Sequence, residues 1–302
     1  KAASELARMN AERNQVSDCV DVTCMDANLA LNTHSGPDNR FDIVDLDPFG
    51  SPAPFLDSAV RAASNNALIA LTATDMPALC GVRPKAALRR YGGRPLRTEY
   101  CHEVGARLLI ASLASAAARH DLGIDVKLTQ STDHYLRVYA TVRHGGIRAN
   151  EALGRLGYIA HCFHCFNREP MSRPASPNCG ICGRRYAIAG PLWLGSLYDK
   201  KFCSEMLDLV ERKKLGKKNR VRHMLQIVRD EIEYPPTYYR VDRLSDRYQT
   251  GTPKSERVVA KLREMGYLAS LTHFHGYGVR TDAGPKILEQ MLRELSKEPF
   301  AE

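Results

Sequence analysis

The sequence predicts an α/β protein in two parts: a doubly wound sheet domain over residues 1–145, incomplete at its N-terminus, and an α+β domain over residues 146–302 with a four-cysteine insertion at about 157–190. Three observations lead there. Apolar strand-like runs alternate with helical patterns through the first half and end in two adjacent strands, the order expected of a doubly wound sheet. Four of the nine cysteines gather as Cys162-x2-Cys165 and Cys179-x2-Cys182. The net charge of +9 falls almost wholly on the second half, where residues 151–302 hold 26 Lys+Arg against 18 Asp+Glu.

Residues 1–14 have Leu6 and Met9 on one side and arginines on the other, so they predict a helix. Cys19 to Cys24 alternates as a strand does, Asn28 to Asn32 suits a short helix, and Ser35 to Asn39 is a turn. Phe41 to Leu46 is the next strand and Pro54 to Ala63 the next helix. Ala67 to Thr74 is a nearly continuous apolar run, as a central parallel strand requires. After a loop rich in Gly and Pro, a long helix runs from about Glu99 to His120, followed by strands at Val126–Gln130 and Tyr135–Arg143. The opening strand of such a sheet, with its Gly-rich turn, has no counterpart and is expected to precede Lys1.

The boundary falls near His144-Gly145-Gly146, and residues 157–190 predict a small, loop-rich insertion. Lys200 to Glu233 predicts a helical segment that is strongly basic in its middle. Helices over Val241–Arg247 and Ser255–Met265, then paired strands at Tyr267–Thr272 and Gly278–Thr281, suit a winged-helix-like arrangement.

Apolar content of 44% and charged content of 25% are ordinary for a soluble globular chain, and no apolar run is long enough for a membrane span. The N-terminus has no apolar secretion core, so the expectation is a cytoplasmic protein with cysteines serving metal or packing roles. Four thiolates in a C-x2-C-x13-C-x2-C array fill a tetrahedron, which makes a structural zinc ion the expected occupant. Gly180 and Gly183 suit the tight knuckles of such a site, and His161 and His164 stand beside it as substitute ligands.

Asp47-Pro48-Phe49-Gly50 closes the strand Phe41–Leu46, at the sheet edge where open α/β folds bind ligands. An aromatic exocyclic amine is a poor nucleophile. An acidic side chain and a backbone carbonyl accepting its two N–H groups would aim its lone pair, with a ring alongside to hold the base. The predicted catalytic set is therefore Asp47, the Pro48 carbonyl and Phe49, with Asp45 deeper in the strand as a structural residue. At the end of the preceding predicted strand, Asp26 and Ala27 are placed to read an adenine of a nucleoside-bearing cofactor, or Asp26 caps the next helix. Asp75 is placed to reach the same rim. Arg83, Arg89 and Arg90 on one side, and Lys213, Lys214, Lys217 and Lys218 in the basic second half, are the predicted nucleic-acid-binding residues; solvated basic faces are the alternative.

Together these blocks resemble the tRNA (guanine-26 N2) dimethyltransferase family. The resemblance runs from Asp26-Ala27-Asn28 through Asp45 to Pro52, Thr72 to Asp75 and Cys101 to Gly105, then on to Asp133-His134-Tyr135, Gly190 to Gly195 and Thr272-His273-Phe274. It implies a class I (Rossmann-like) methyltransferase domain that uses S-adenosyl-L-methionine, joined to a C-terminal tRNA-binding domain with a zinc insertion of the archaeal kind. By that resemblance Asp47 binds the guanine amine, Phe49 is its aromatic neighbour, and Asp26 and Ala27 read the cofactor adenine. The partner would be tRNA, with no membrane; a monomer is favoured and the oligomeric state stays open. The family's Gly-containing cofactor loop would lie upstream of Lys1. Two other readings stay open on the residues alone: a zinc-stabilised RNA-binding fragment without catalysis, and an amino-directed methyltransferase acting on adenine N6.

Overall fold

The structure, a computed structural model, describes residues 1–174, 176–231 and 234–297. Ala175 within the predicted insertion, Ile232 and Glu233 at the end of the predicted basic helix, and residues 298–302 lie outside the described residues. The chain opens with helices α1 (Ala2–Arg13) and α2 (Ala27–Thr33), followed by strand β1 (Phe41–Leu46). A 3-10 turn, Ala53–Phe55, leads into α3 (Leu56–Ala62), β2 (Ala63–Ala73), α4 (Met76–Leu79), α5 (Pro84–Tyr91) and α6 (Cys101–Ala118). Strands β3 (Leu122–Thr132) and β4 (Tyr135–His144) complete a four-stranded sheet of order β1-β2-β4-β3.

β1 and β2 are parallel, with Leu46 opposite Leu71, whereas β4 runs antiparallel to both β2 and β3. The predicted central strand is thus parallel on one side only. Ala73 at the end of β2 stands opposite Leu136 at the start of β4. The carboxyl ends of β1 and β2 and the tip of the β3–β4 hairpin therefore share one edge of the sheet.

Side chains along β4 alternate by the strand period. Leu136, Val138, Ala140 and Val142 are buried beneath α6, and Tyr135, Arg137 and Tyr139 stand on the opposite face. Helix α6 is apolar nearly all round because the sheet, α3, α4, α7 and β7 enclose it. Gly105 allows the close approach, since a Cβ there would stand 3.0 Å from Leu79 Cβ and 3.2 Å from Leu136 Cδ1.

Residues 19–24 do not form a strand. A strand needs a ladder partner, and β1 pairs only with β2 among the described residues, so this segment stays exposed despite its alternation.

Helix α7 (Gly146–Gly154) leads to β5 (Leu156–His161), β6 (Arg168–Met171) and β7 (Ala187–Trp193), an antiparallel sheet of order β6-β5-β7. Residues 157–190 are thus more ordered than a loop-rich insertion: the cysteine pairs hang from the ends of a sheet. The basic segment is two helices, α8 (Lys200–Arg212) and α9 (Lys218–Asp230), with a break between them. Asp199 caps α8 by accepting from Phe202 N–H at 2.9 Å, and its carboxylate binds Lys127 of β3 at 2.7 Å. Strand β8 (Tyr239–Arg240), α10 (Val241–Tyr248), α11 (Ser255–Glu264), β9 (Ala269–Leu271), β10 (Gly278–Thr281) and α12 (Pro285–Lys297) then build a second core around a sheet of order β8-β10-β9. The expected helix–helix–hairpin order is present, with β8 and α12 added.

Candidate active site and metal centre

Asp47 follows directly on β1 and reaches the sheet edge exposed, with no hydrogen bond or ion pair to any described residue. Phe49, two positions on, is 107% exposed, so its ring faces solvent and is not packed in the core. A carboxylate without a partner beside a bare aromatic face suits a planar, amine-bearing ligand.

The turn itself is fixed from β2. Gly50 adopts φ +93°, its N–H donates to Thr74 Oγ1 at 2.8 Å, and its carbonyl accepts from Thr74 N–H at 2.9 Å. Ser51 Oγ donates to Tyr91 Oη at 2.7 Å, and Tyr91 Oη donates to Asp75 at 2.6 Å. Burial, with Asp75 alongside, pushes the Tyr91 phenol up, so it remains a donor. Asp75 also takes Arg90 at 2.8 Å. The rim carboxylate is accordingly engaged, and Arg90, one of the predicted RNA-binding residues, is half-exposed but paired.

Deeper on the strand, Asp45 accepts from Arg137 Nη2 at 2.6 Å, which gives it the structural part expected of it. Arg137 also donates to Tyr139 Oη at 3.1 Å and to Thr72 Oγ1. Sequence reasoning missed Tyr91 and Arg137. The second was accessible, because Tyr135, Arg137 and Tyr139 share a strand face at period two.

Asp26 is the N-cap of α2 and accepts from Leu29 N–H at 3.1 Å through Oδ1. The capping role is realised and leaves Oδ2 unpartnered on an exposed residue, with exposed Ala27 next to it. Asn28 Oδ1 accepts from Ser58 Oγ at 2.8 Å and ties α2 to α3, the helix that follows the Asp47 turn.

Arg83 and Arg89 are exposed at the two ends of α5. Lys213, Lys214 and Lys217 are exposed in the break between α8 and α9 instead of mid-helix. Lys218 is half-buried and paired: Glu211 holds it at 3.2 Å together with Arg222 at 2.5 Å.

The Sγ atoms of Cys162, Cys165, Cys179 and Cys182 all lie within 4.8 Å of one another, and all four thiols are free. Cys162 and Cys182, and likewise Cys165 and Cys179, stand 3.5 Å apart. A tetrahedral ion with bonds of ~2.3 Å needs sulfur separations of about 3.8 Å, so the donor set fits zinc. Two matching knuckles present these thiols. Phe166 N–H donates to the Cys162 carbonyl at 2.9 Å, and Gly183 N–H to the Cys179 carbonyl at 2.8 Å. Gly183 has φ +70°, as a knuckle requires, and Phe166 takes φ +59° at the equivalent place. The Arg247 guanidinium lies 5.0 Å from the Phe166 ring, which anchors that knuckle to α10. Gly180 needs no special backbone. His161 is buried with Nδ1 3.1 Å from Tyr100 Oη, and neither it nor His164 joins the four-thiol cluster.

Among the described residues no helix is long and apolar enough to cross a membrane. Residues 1–293 match the family model described as TRM, N2,N2-dimethylguanosine tRNA methyltransferase. A tRNA (guanine(26)-N(2))-dimethyltransferase of Methanothermobacter thermautotrophicus is 40% identical over 298 residues, 98% of this chain and 77% of the relative. One from Pyrococcus abyssi is 39% identical over 254 residues, covering 83% of this chain and 64% of the relative. The solved complex of Trm1 from Pyrococcus horikoshii with S-adenosyl-L-methionine superposes with a TM-score of 0.81 at 37% identity, covering 90% of this chain and 70% of that one. An aromatic–carboxylate turn on a parallel strand, a four-thiol centre and relatives matched along nearly the whole chain agree: the protein belongs to the N2,N2-dimethylguanosine tRNA methyltransferase family.

Proposed function

We propose that the protein transfers methyl groups from S-adenosyl-L-methionine to the exocyclic N2 amine of guanine 26 in tRNA, twice in succession. The observation that carries this reading is the unpartnered Asp47 carboxylate beside the bare Phe49 ring, in a chain of this family. Residues 1–145 would form the class I, Rossmann-like methyltransferase domain and residues 146–302 the tRNA-binding domain.

In the first transfer Asp47 and the Pro48 carbonyl accept the two N–H groups of the amine, and in the second Asp47 accepts the one N–H that remains, which turns the lone pair out of conjugation and toward the methyl donor. Phe49 stacks on the base and fixes its plane. As nitrogen gains the methyl group it becomes more acidic, and Asp47 is the nearest acceptor for the proton released. When bound, the cofactor would supply an electrophilic methyl on a sulfonium, with the electron pair of the broken bond staying on sulfur. Asp26 Oδ2 and the Ala27 backbone would hold its adenine. Asp75, Tyr91 and Thr74 fix the turn without touching the base. Exposed Arg83 and Arg89, together with Lys213, Lys214 and Lys217, would carry tRNA phosphates. Four thiolates would hold zinc as a structural ion, which leaves it no open position for substrate.

The test is methylation of an unmodified tRNA transcript with labelled S-adenosyl-L-methionine, followed by nucleoside analysis of the product. N2,N2-dimethylguanosine at position 26 is the expected product. Label on adenine, or none, would refute the assignment.

A further inference from the structure

A cavity of about 530 Å³ lies away from the Asp47 turn, between the β3–β4 hairpin and helices α8 and α9. Its volume falls in the range of small-ligand sites. One wall is the open face of the sheet, where the rings of Tyr135 and Tyr139 stand, and the opposite wall carries Met206 and Met224. Lys217 and Arg220 stand at its mouth, where Arg220 reaches Asp133 at the hairpin tip at 3.2 Å. The floor is fixed: His273 Nε2 accepts from Ser131 N–H at 3.3 Å, which leaves Nδ1 as the donor to Glu231 at 2.9 Å. Aromatic and thioether walls under a cationic mouth fit a flat, weakly polar ring that carries phosphate.

The cavity is joined to the catalytic strand. Arg137 donates to Tyr139 Oη at 3.1 Å and to Asp45 at 2.6 Å, one strand period before Asp47. β2 alone separates β1 from β4, so the backbones that carry Asp47 and Tyr135 are about 10 Å apart, close to the rise of three stacked nucleotides. That separation is too wide for one base to reach both places and suits another nucleotide of the same RNA.

We propose that this cavity receives an unstacked nucleoside of the tRNA substrate other than the target guanosine. The base lies against Tyr135 and Tyr139, and its phosphates lie on Lys217 and Arg220. The proposal rests on the tRNA reading above and adds a second base site to it. Holding a second nucleoside at a fixed distance from Asp47 gives the enzyme a ruler along the RNA, set by protein shape instead of base pairing.

The test uses the full chain and an unmodified tRNA transcript. Tyr135→Ala removes a stacking wall and Met224→Trp fills the cavity. Each is expected to weaken transcript binding about ten-fold. Neither should change the slope of log affinity against log salt, because the cations that meet phosphate stay in place. Tyr135→Trp supplies a reporter that serves even where the alanine variant fails to fold: the protein's one native tryptophan, Trp193, is buried, and the emission of the new indole should be quenched by the transcript. Wild-type affinity in both cavity variants, a weakening accompanied by a smaller salt slope, or unquenched emission at saturation would overturn the proposal. If the wild type methylates N2 of guanine while the cavity variants bind as it does, only the second site falls. If the wild type neither binds nor methylates the transcript, both readings fall.

Discussion

Glu103 of α6 and Arg280 of β10 meet at 3.0 Å with almost no solvent exposure, and this ion pair joins the helix packed on the Asp47 sheet to the C-terminal core. Arg280 also reaches Glu231 at 3.0 Å, and Arg107 reaches Glu103 at 2.8 Å and the carbonyl of Trp193 at 2.8 Å. Two acids alternate with two guanidiniums, so each buried charge has an opposite neighbour, as interior charge requires. Burial alone would raise the Glu103 carboxyl, but Arg280 and Arg107 outweigh it and hold it down to about 2.

Glu103→Gln should destabilise the protein by about 3–5 kcal/mol at neutral pH, because it leaves buried guanidiniums uncompensated. A carboxyl depressed from about 4.5 to about 2 stabilises the fold fully above the higher value, and the contribution fades as pH falls toward the lower one. Denaturant unfolding of wild type and variant should therefore show a gap that is widest above pH 5 and narrows toward pH 2. A gap independent of pH would mean that the carboxylate charge is not what stabilises the junction.

Asp47→Ala should lower the rate of methyl transfer about 100- to 10,000-fold, in the range of a lost acid–base group. Binding of the transcript should stay near the wild-type value, since Asp47 is a single exposed carboxylate and a poor phosphate neighbour. Single-turnover transfer and filter binding separate the two effects. Strong residual transfer would remove Asp47 from the role.

How much of this was legible in the sequence differs by kind of residue. Asp47, Phe49 and the four cysteines stood out as candidates because the chemistry proposed for them depends on local spacing, which a sequence displays; the structure exposes the first two at the end of β1 and gathers the four thiols. Strand pairing is not local: Cys19 to Cys24 has the alternation of a strand and no ladder to join. The β6-β5-β7 sheet was hidden because residues 157–190 look like loop by composition, and pairing between β5 and β7 spans the insertion. Glu103 and Arg280, 177 positions apart, give no sign of meeting until the fold brings them together. The same holds for Lys218, whose engagement with Glu211 depends on the turn between two helices.

Cys179→Ser should lower zinc content from about one ion per chain to almost none, measured by metal analysis of the purified protein. Because Phe166 joins the first knuckle to Arg247 of α10, the variant should also lose stability beyond the insertion itself. Full zinc occupancy in the variant would show that the four thiols are not the ligand set.

Reversing charge at Lys213, Lys214 and Lys217 should weaken tRNA binding and flatten its salt dependence by about 0.7–0.9 in slope for each phosphate no longer neutralised. Lys218→Ala should do less to the slope, because Glu211 already partly neutralises that ammonium. A slope unchanged by the triple reversal would place the RNA surface elsewhere, with exposed Arg83 and Arg89 the next to test.

Gly50→Ala isolates the turn geometry. A Cβ at this position meets nothing within 4 Å, so the substitution acts through the backbone alone. At φ +93° an alanine is strained by about 1–2 kcal/mol, and the chain relieves this by moving the turn. Such a movement breaks the pair of hydrogen bonds between Gly50 and Thr74 and displaces Phe49 and Asp47 from their positions at the end of β1. Methyl transfer should fall well beyond what the small loss of stability explains, since reacting groups tolerate little misplacement. Thr74→Val gives the comparison: it deletes the Oγ1 acceptor for Gly50 N–H, keeps the glycine conformation and retains the Thr74 N–H bond to the Gly50 carbonyl. Its transfer rate should fall between wild type and Gly50→Ala. If Gly50→Ala instead transfers methyl groups at the wild-type rate, the left-handed turn does not set the position of Asp47.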